Sequence, residues 1–391
     1  MNSPKLIRIT TVPISFKVLL NGQHRFMSNN GFEVVGISSN GQEIHDLEQD
    51  ENIRILTVEM TRTISPFQDL KSVWKMYKIF KKEKPLIVHT HTPKAGIVGM
   101  LAAKLARVPI RLHTVAGLPL MEKKGLKRKV LDRVEKLTYA CSSKVYPNSK
   151  GLYDFILENK YTSKTKLKVI GKGSSNGIDT SHFNPELISE QQRQDLKKSL
   201  GIKSEDFVFI FVGRLVGDKG INELIAAFSQ ICKSNSSQTC KLLLVGWLET
   251  ELDSLSAETL KNIETNPNII STGFQKDVRP FFAVSDALVF PSYREGFPNV
   301  VMQAGAMQLP SIVTNINGCN EIIIEDKNGI IIPTKNTEAL KKAMERLMTD
   351  KNYCEKLKEN ARMMIVSRYE QSIIWNALLE EYNEIIKKKN V

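Results

Sequence analysis

The chain has 391 residues, of which 41% are hydrophobic, so its length and apolar content suit two globular cores rather than one. Five scattered cysteines without CxxC spacing exclude a disulfide framework and a zinc site, and no apolar run is long enough to cross a bilayer. The net charge of +13 points to an anionic partner such as a lipid surface, a nucleic acid or a phosphorylated substrate. The alternative interpretation is that the excess of basic residues has no functional meaning.

The first half of the chain alternates short apolar strands with amphipathic helices. We predict strands at 5–10, 32–37, 53–57, 86–89, 110–113 and 144–146, and a helix whose core face carries Leu70, Val73, Trp74, Tyr77 and Phe80. This alternation predicts a parallel sheet with helices on both faces. No G-x-G-x-x-G follows the first strand, which disfavours a nicotinamide or flavin enzyme, and residues 11–17 are interpreted as a surface turn.

A basic helix is predicted at 121–137. Its apolar residues recur at helical spacing and predict a core-facing stripe, made of Leu126, Val130, Leu131, Val134 and Leu137. The opposite face is rich in lysine and arginine, especially over 123–133. Plain solvation would explain such a face. We favour docking on an anionic membrane surface, where each cation contributes about 1 kcal/mol.

The composition changes at 171–179, where glycine, serine and asparagine predict a flexible connection. We therefore divide the chain into a first domain at 1–180 and a second at 181–369, which opens with a polar helix near 189–200. Further strands are predicted at 207–212, 242–246, 269–273, 288–290, 312–314 and 330–332, so the second domain is also an α/β unit.

The strand at 207–212 leads into a glycine-containing turn that suits an anion. Gly213 and the glycines after it allow close approach of the backbone to a ligand, and the next helix begins with free N–H groups. Arg214 and Lys219 add two cations, so the turn is a candidate pyrophosphate site. It is not a Walker loop, because no serine or threonine follows Lys219 to hold magnesium.

Glu295 lies between the buried strand at 286–291 and a helix that begins near Pro298. Loops of this kind lie at the carboxyl ends of parallel strands, where open α/β folds bind ligands. Alone, Glu295 could simply cap the helix, and Arg214 could be a surface cation. Together, the cations suit phosphates and the carboxylate suits sugar hydroxyls, a combination that favours a sugar nucleotide.

Three stretches in this order, 176–179, 213–220 and 291–299, resemble the GT-B glycosyltransferases of retaining family 4. The resemblance covers essentially the whole chain and is greatest to bacterial capsular and surface-polysaccharide enzymes, some of which move N-acetylhexosamines onto lipid-linked acceptors. It implies an α/β GT-B fold with two Rossmann-like parallel-sheet domains that face a cleft. It also implies that the last helix, 370–391, packs back on the first domain.

The resemblance also implies roles for individual residues. Arg214 and Lys219 match the pair that binds the donor diphosphate and stabilises it as leaving group, and Glu295 matches the carboxylate that contacts the donor sugar. Gln303 stands where the family has a second carboxylate, usually a ribose ligand, so we expect ribose binding to survive with less charge. The other residues expected to bind substrate, partly through the backbone, are Gly213, Gly273, Phe274, Gly296, Phe297, Pro298 and Asn299.

The histidines of the first domain are further candidates for contact with the donor. His89, His91 and His113 lie at two strand ends, and His91 and His113 are our candidates for contact with the donor. Many relatives place a functional histidine before a glycine in the second of these loops, where this chain has Ala116. A structural role is the more common fate of any single histidine.

The expected enzyme is a retaining, metal-independent glycosyltransferase without a cofactor, on the cytoplasmic side of the membrane. The resemblance implies a nucleotide-sugar donor, UDP-N-acetylhexosamine or UDP-hexose, and a lipid-linked saccharide acceptor. The leaving phosphate oxygen would take the acceptor's proton, and no D-x-D motif is present for a metal ion.

Three other functions stay open. A sugar-nucleotide 2-epimerase could use the same fold, since fold does not determine function. A non-catalytic sugar-nucleotide-binding subunit would be compatible with Gln303. A nucleic-acid binder ranks last, because the aromatic residues are not interleaved with basic ones as stacking platforms require.

Overall fold

A computed structural model describes residues 3–389 except 62–64, 119, 121–123, 235–238, 250 and 252. The chain forms two compact units. Unit 1 comprises Met1–Gly177 and Gln371–Val391, and unit 2 comprises Ile178–Glu370.

The described residues of unit 1 form one parallel sheet with helices packed on it. Its strands are β1 Lys5–Ile9, β2 Glu33–Ser38, β3 Arg54–Thr57, β4 Ile87–Thr90, β5 Ile110–Val115 and β6 Lys144–Pro147. Its helices are α1 Ile14–Leu20, α2 Gln23–Asn29, α3 Ile44–Glu51, α4 Pro66–Glu83, α5 Pro93–Leu105, α6 Gly125–Cys141, α7 Lys150–Glu158 and α16 Gln371–Lys389. The strand order is β3-β2-β1-β4-β5-β6, with every pair parallel.

Unit 2 repeats this plan in the part of the chain that is described. Its strands are β7 Phe207–Val212, β8 Cys240–Val245, β9 Ile269–Gly273, β10 Ala287–Phe290, β11 Ser311–Thr314 and β12 Gly329–Ile332. Its helices are α8 Glu190–Ser199, α9 Ile221–Lys233, α10 Ala257–Thr265, α11 Arg279–Ala283, α12 Asn299–Ala306, α13 Cys319–Ile322, α14 Thr337–Thr349 and α15 Lys351–Tyr369. The strand order is β12-β11-β10-β7-β8-β9.

The central strand of unit 2 shows why its sequence is apolar throughout. In β7, residues Phe207–Phe211 are buried, because helices cover both faces of the sheet. Phe209 lies opposite Leu242 of β8, and Ile210 lies opposite Leu288 of β10. The strand predictions are confirmed in both units to within two residues at each end.

Two helices of unit 1 turn different faces to the core than their patterns predicted. In α4 the buried residues are Ser72, Val73, Met76 and Phe80, whereas Leu70 and Trp74 are exposed. In α6 the buried residues are Glu135, Thr138, Tyr139 and Cys141. The predicted core stripe of α6 was therefore wrong, since Leu126, Val130 and Leu137 are exposed and only Leu131 and Val134 are half-buried. The start of the predicted helix, 121–123, lies outside the described residues.

The segment at 11–17 is not a surface turn. It leads into α1, and Phe16 packs in the core of unit 1 with 1% of its side chain exposed. The predicted flexible connection at 171–179 is also wrong at Asn176. That side chain is buried and accepts hydrogen bonds from Trp375 Nε1 at 2.7 Å and Gln23 Nε2 at 2.9 Å. These contacts fix the end of the first segment of unit 1 against α2 and α16.

Candidate functional site

Loops after neighbouring strands meet at the carboxyl edge of the unit 2 sheet. Loop 213–220 follows β7 and loop 291–298 follows β10, the strand beside it. From β7 the chain continues to β8 and β9 on one side, and it later returns on the other side through β10 to β12. Open α/β sheets bind ligands at such a switch point. The structure places Arg214, Lys219 and Glu295 in these two loops.

Lys219 and Glu295 form an ion pair between the two loops. Lys219 Nζ donates to Glu295 Oε1, which also accepts a hydrogen bond from Ser292 Oγ at 3.0 Å. The side chains of Lys219 and Glu295 are 17% and 16% exposed, so solvent screens this pair less than a surface pair. The site thus presents a cation that suits phosphate oxygens beside a carboxylate that suits hydroxyls.

A second set of contacts joins the same loops. Arg294 donates to Asp218 Oδ2 from Nε at 3.0 Å and from Nη2 at 2.6 Å, and Tyr293 N donates to Asp218 O at 2.9 Å. The Tyr293 hydroxyl donates to Glu223 Oε1 at 2.6 Å, and burial raises the pKa of this phenol. The two loops are therefore held together by their own residues. The sequence analysis did not identify Asp218 or Glu223; the available signals were the position of Asp218 in the loop and that of Glu223 in the first turn of α9.

The turn after β11 supports the backbone that carries Glu295. Asn317 Nδ2 donates to Glu295 O at 3.1 Å and to Gly296 O at 2.8 Å. Thr314 Oγ1, at the end of β11, donates to the carbonyl of Ser292. These side chains were missed by the sequence analysis, although Thr314 ends a predicted strand and Asn317 lies in the turn that follows it. They donate hydrogen bonds to backbone carbonyls of loop 291–298, whereas the Glu295 carboxylate pairs with Lys219.

Arg214 is paired with a different carboxylate. Its Nη1 donates to Glu249 Oε2 at 2.8 Å, and its side chain is 52% exposed. An ion pair this exposed contributes roughly 0–1 kcal/mol to stability. A more highly charged anion can therefore replace Glu249 as the partner of Arg214 with little loss of free energy. Glu249 follows β8 and was also missed in the sequence.

The other predicted residues of unit 2 lie in or beside these loops and offer mainly backbone. Phe297 and Pro298 are buried, and the Phe297 ring packs edge-on against Tyr369 at 5.3 Å. Asn299 is exposed at the start of α12. The side chain of Gln303, half-buried on α12, forms no hydrogen bond with any residue that the structure describes, so its amide is available to a ligand.

Gly213 and Gly273 connect the ends of three neighbouring strands. Gly213 N donates to Val245 O at 2.9 Å, and Gly246 N donates to Gly273 O at 2.9 Å. Phe274, directly after Gly273, is 57% exposed. Loop 213–220 is therefore continuous with the strand ends of β8 and β9.

The two histidines predicted to contact the donor are buried in unit 1. His113 is 3% exposed, its Nδ1 lies 2.7 Å from Thr90 Oγ1, and burial lowers its pKa to about 4. His91 is also 3% exposed, neither nitrogen of its ring has a hydrogen-bond partner among the described residues, and it lines a cavity of about 20 Å³. Such a cavity has room for one water molecule and not for a sugar. The geometry favours a structural role for both imidazoles.

Neither a metal centre nor a membrane-spanning helix is found in the part of the chain that the structure describes. No group of three or more His, Cys, Asp or Glu residues in that part is placed to hold a metal ion. None of the helices in the described ranges combines the length and the apolar character needed to cross a bilayer.

Gly220→Ala is expected to separate the two loops. Gly220 has φ +72, and a Cβ there would lie 2.2 Å from Pro291 O. The backbone of loop 291–298 must then shift, so we expect a loss of stability of more than about 2 kcal/mol. Gly201→Ala is the matched control, since Gly201 has φ +64 but nothing within 4 Å of its Cβ position. Urea unfolding of both variants checks this, and equal losses would contradict it.

Comparisons with known proteins identify the family of the chain. The family described as "Glycosyl transferases group 1" matches residues 192–364, and "Glycosyl transferase 4-like" matches residues 8–149. The chain is 35% identical to the capsular polysaccharide biosynthesis glycosyltransferase CapM of Staphylococcus aureus, over 99% of each chain. It is 29% identical to the UDP-Gal:alpha-D-GlcNAc-diphosphoundecaprenol alpha-1,3-galactosyltransferase of Escherichia coli, over 93% of each chain.

Solved structures share the fold at lower identity. A glycosyltransferase from Rickettsia africae superposes with a TM-score of 0.80 at 20% identity, over 99% of this chain and all of that one. Anabaena HepE in complex with UDP also has a TM-score of 0.80, at 18% identity, over 97% of this chain and all of that one. At such identities the likeness establishes the two-domain α/β fold alone.

Proposed function

Since this chain belongs to the family 4 glycosyltransferases with the GT-B fold, we propose that it transfers a sugar from a nucleotide-sugar donor to a lipid-linked saccharide. The product would be part of a surface or capsular polysaccharide. The observation that carries this proposal is the Lys219–Glu295 pair at the switch point of unit 2.

The donor fits the charges of loops 213–220 and 291–298. A nucleotide sugar carries a diphosphate that needs cations and a sugar that needs hydroxyl partners. Lys219 and the half-exposed Arg214 supply the first, and Glu295 supplies the second. On binding, the diphosphate would compete with both carboxylates for these cations, so Glu295 would be released toward the sugar while Lys219 turns to phosphate.

We propose a retaining reaction. The bond between the anomeric carbon and the phosphate oxygen breaks, and its electron pair stays on that oxygen. The acceptor hydroxyl forms the new bond on the same face of the sugar, and its proton passes to the leaving oxygen. Lys219 and Arg214 would stabilise the negative charge that develops on the diphosphate, and Glu295 would face the positive charge that develops on the sugar ring.

Two relatives support a lipid-linked acceptor and a UDP-linked donor. The Escherichia coli relative is named for transfer of galactose from UDP-Gal to a diphosphoundecaprenol-linked GlcNAc, and the Staphylococcus aureus relative is named for capsular polysaccharide synthesis. We accordingly propose a UDP-hexose or UDP-N-acetylhexosamine as donor. Gln303 would meet the ribose as a neutral hydrogen-bonding partner.

We also propose that unit 1 docks on an anionic membrane surface, as a peripheral protein on the inner face of the cell membrane. Helix α6 exposes Leu126 and Leu137, at 78% and 47%, among lysines and Arg133 on the same helix. Helix α4 exposes Phe67 and Trp74, at 92% and 57%, and α5 packs against both helices. Exposed apolar side chains among cations are typical of helices that lie in a membrane interface.

Removing three cations of α6, in the variant K127Q/K129Q/R133Q, tests this docking. At about 1 kcal/mol for each cation, binding to anionic phosphatidylglycerol vesicles is expected to weaken roughly 100-fold. The matched control is K342Q/K351Q/K356Q, which removes three exposed lysines of unit 2. Vesicle sedimentation measures both variants. Equal binding by the two would contradict docking through α6.

A donor-release assay tests the transferase itself. Purified protein is incubated with a panel of UDP- and GDP-sugars, with and without a membrane extract that supplies lipid-linked saccharides. Release of nucleotide from one donor only when extract is present would support the proposal and identify the donor. Donor conversion without extract would instead indicate the epimerase, and binding without any turnover would indicate a non-catalytic subunit.

A further inference from the structure

Two large aromatic side chains lie exposed and side by side at the carboxyl edge of the unit 2 sheet. Trp247 follows β8 and is 63% exposed, and Phe274 follows β9 and is 57% exposed. Their ring centroids are 4.6 Å apart with an interplanar angle of 33°. The packing of the unit 2 core does not use these rings. Exposed aromatic side chains next to a candidate ligand site are typical of a binding surface.

The aromatic pair is attached directly to loop 213–220. Leu215 N donates to Trp247 O at 2.8 Å. A Cβ at Gly246, which has φ +149, would lie 1.8 Å from Gly213 O, so only glycine permits this approach of the two backbones. Two residues after Trp247, Glu249 holds the Arg214 guanidinium. The position of the Trp247 backbone relative to the candidate diphosphate cations is therefore well defined.

The order of chemical groups along the sheet edge matches the order of parts in a nucleotide sugar. Across the strands β10, β7, β8 and β9, the edge carries the Glu295 carboxylate, then Lys219 and Arg214, then Trp247 and Phe274. These suit a sugar, a diphosphate and a flat aromatic base in turn. Neighbouring strands are roughly 4.8 Å apart, so three steps span roughly 14 Å, a distance that an extended nucleotide sugar can cover.

We infer that Trp247 is the residue on which the nucleobase of the donor stacks, with Phe274 holding the indole ring in place. This inference rests on the proposed function, and it adds a side-chain determinant of donor affinity that the backbone contacts expected around Gly273 did not include. Stacking is tolerant of base identity, so Trp247 supplies affinity for any base. Discrimination among bases then comes from hydrogen bonds to other groups.

Trp247→Ala is expected to raise the KM for the donor and the Kd for UDP roughly 10- to 100-fold, because stacking of a base on an aromatic ring contributes about 1–3 kcal/mol. The kcat is expected to change less than about twofold, since the base is remote from the reacting carbon. Trp247→Phe keeps a stacking face and should restore most of the affinity. Binding of inorganic pyrophosphate, which has no base, should be the same in all three proteins.

Met363→Ala is the matched control, because Met363 is a large apolar residue of unit 2 that is exposed to a similar extent, at 62%, but lies on α15 away from the sheet edge. It should leave the KM for the donor unchanged.

A second readout is tryptophan fluorescence, which UDP should quench in the wild-type protein and not in Trp247→Phe. Titrations with UDP, CDP and GDP show whether quenching is shared by pyrimidines and purines, as stacking requires, and quenching by pyrophosphate would contradict a base contact.

The outcomes separate this inference from the proposed function. If Trp247→Ala binds UDP and turns over the donor with wild-type KM, the stacking role is wrong and the transferase assignment stands. If Trp247→Ala lowers kcat with no change in KM, the residue acts on the chemical step and the inference is again wrong. A wild-type protein that binds no nucleoside diphosphate would overturn both. Because Trp247 is exposed, its replacement should leave the melting temperature unchanged, which excludes misfolding as the cause.

Discussion

Lys219→Ala is expected to lower the kcat for sugar transfer roughly 10²- to 10³-fold, the usual effect of removing one group that stabilises charge in a transition state. Lys219 is the less exposed of the two candidate diphosphate cations and the one in contact with Glu295. The measurement is initial-rate kinetics with the donor identified by the release assay. Lys261→Ala is the control, because Lys261 is an exposed residue of α10 outside loops 213–220 and 291–298.

The same variant separates catalysis from stability. Lys219→Ala leaves the Glu295 carboxylate, which is 16% exposed, without its cation, so a stability loss of roughly 1–3 kcal/mol is expected. The double variant K219A/E295Q removes that unpaired charge and should recover much of the stability. Transfer should stay low in the double variant. Recovery of transfer together with stability would mean that Lys219 has a structural role and not a catalytic one.

Mild acid is expected to unfold unit 1. Four histidines there, His24, His89, His91 and His113, are buried, and burial lowers the pKa of each, with the Arg8 charge lowering it further for the first three. The folded state keeps these imidazoles neutral, whereas the unfolded chain protonates them below about pH 6.5. Stability that is present at neutral pH is therefore lost as the pH falls from about 6.5 toward the folded pKa values.

The size of this effect is large. Each imidazole that stays neutral in the folded state lowers the free energy of unfolding by about 1.4 kcal/mol for each pH unit below 6.5. Four such imidazoles lower it by about 5–6 kcal/mol per unit, which is comparable with the whole stability of a domain. Urea unfolding at pH 7.5, 6.5 and 5.5 measures it. A pH-independent midpoint over this range would show that the four groups titrate normally.

His24→Leu provides the matched test of one histidine. Burial lowers the pKa of His24 even though a Glu51 oxygen lies 3.9 Å from its Nδ1, and neither ring nitrogen has a hydrogen-bond partner in the described part of the chain. The variant should reduce the pH dependence of the free energy of unfolding by about one quarter, because His24 makes one of four equivalent contributions.

The strands and the candidate loops could be predicted from the sequence, while the faces of single helices could not. Apolar runs such as Phe207–Val212 bury both faces and therefore identify a strand without reference to other elements. In α4 and α6 the spacing of apolar residues fits more than one face. The neighbours of each helix decided which face was buried, so that Leu126 and Trp74 became exposed.

The sequence by itself determined two α/β units, the positions of Arg214, Lys219 and Glu295 after strand ends, and a glycine-containing turn with two cations after β7. These follow from periodicity and glycine placement, which act over a few neighbouring residues. Only the tertiary structure decided that Lys219 pairs with Glu295 and that Trp247 lies beside Phe274. These pairs join residues far apart in the chain, and their contact depends on strand order, which local sequence patterns do not encode.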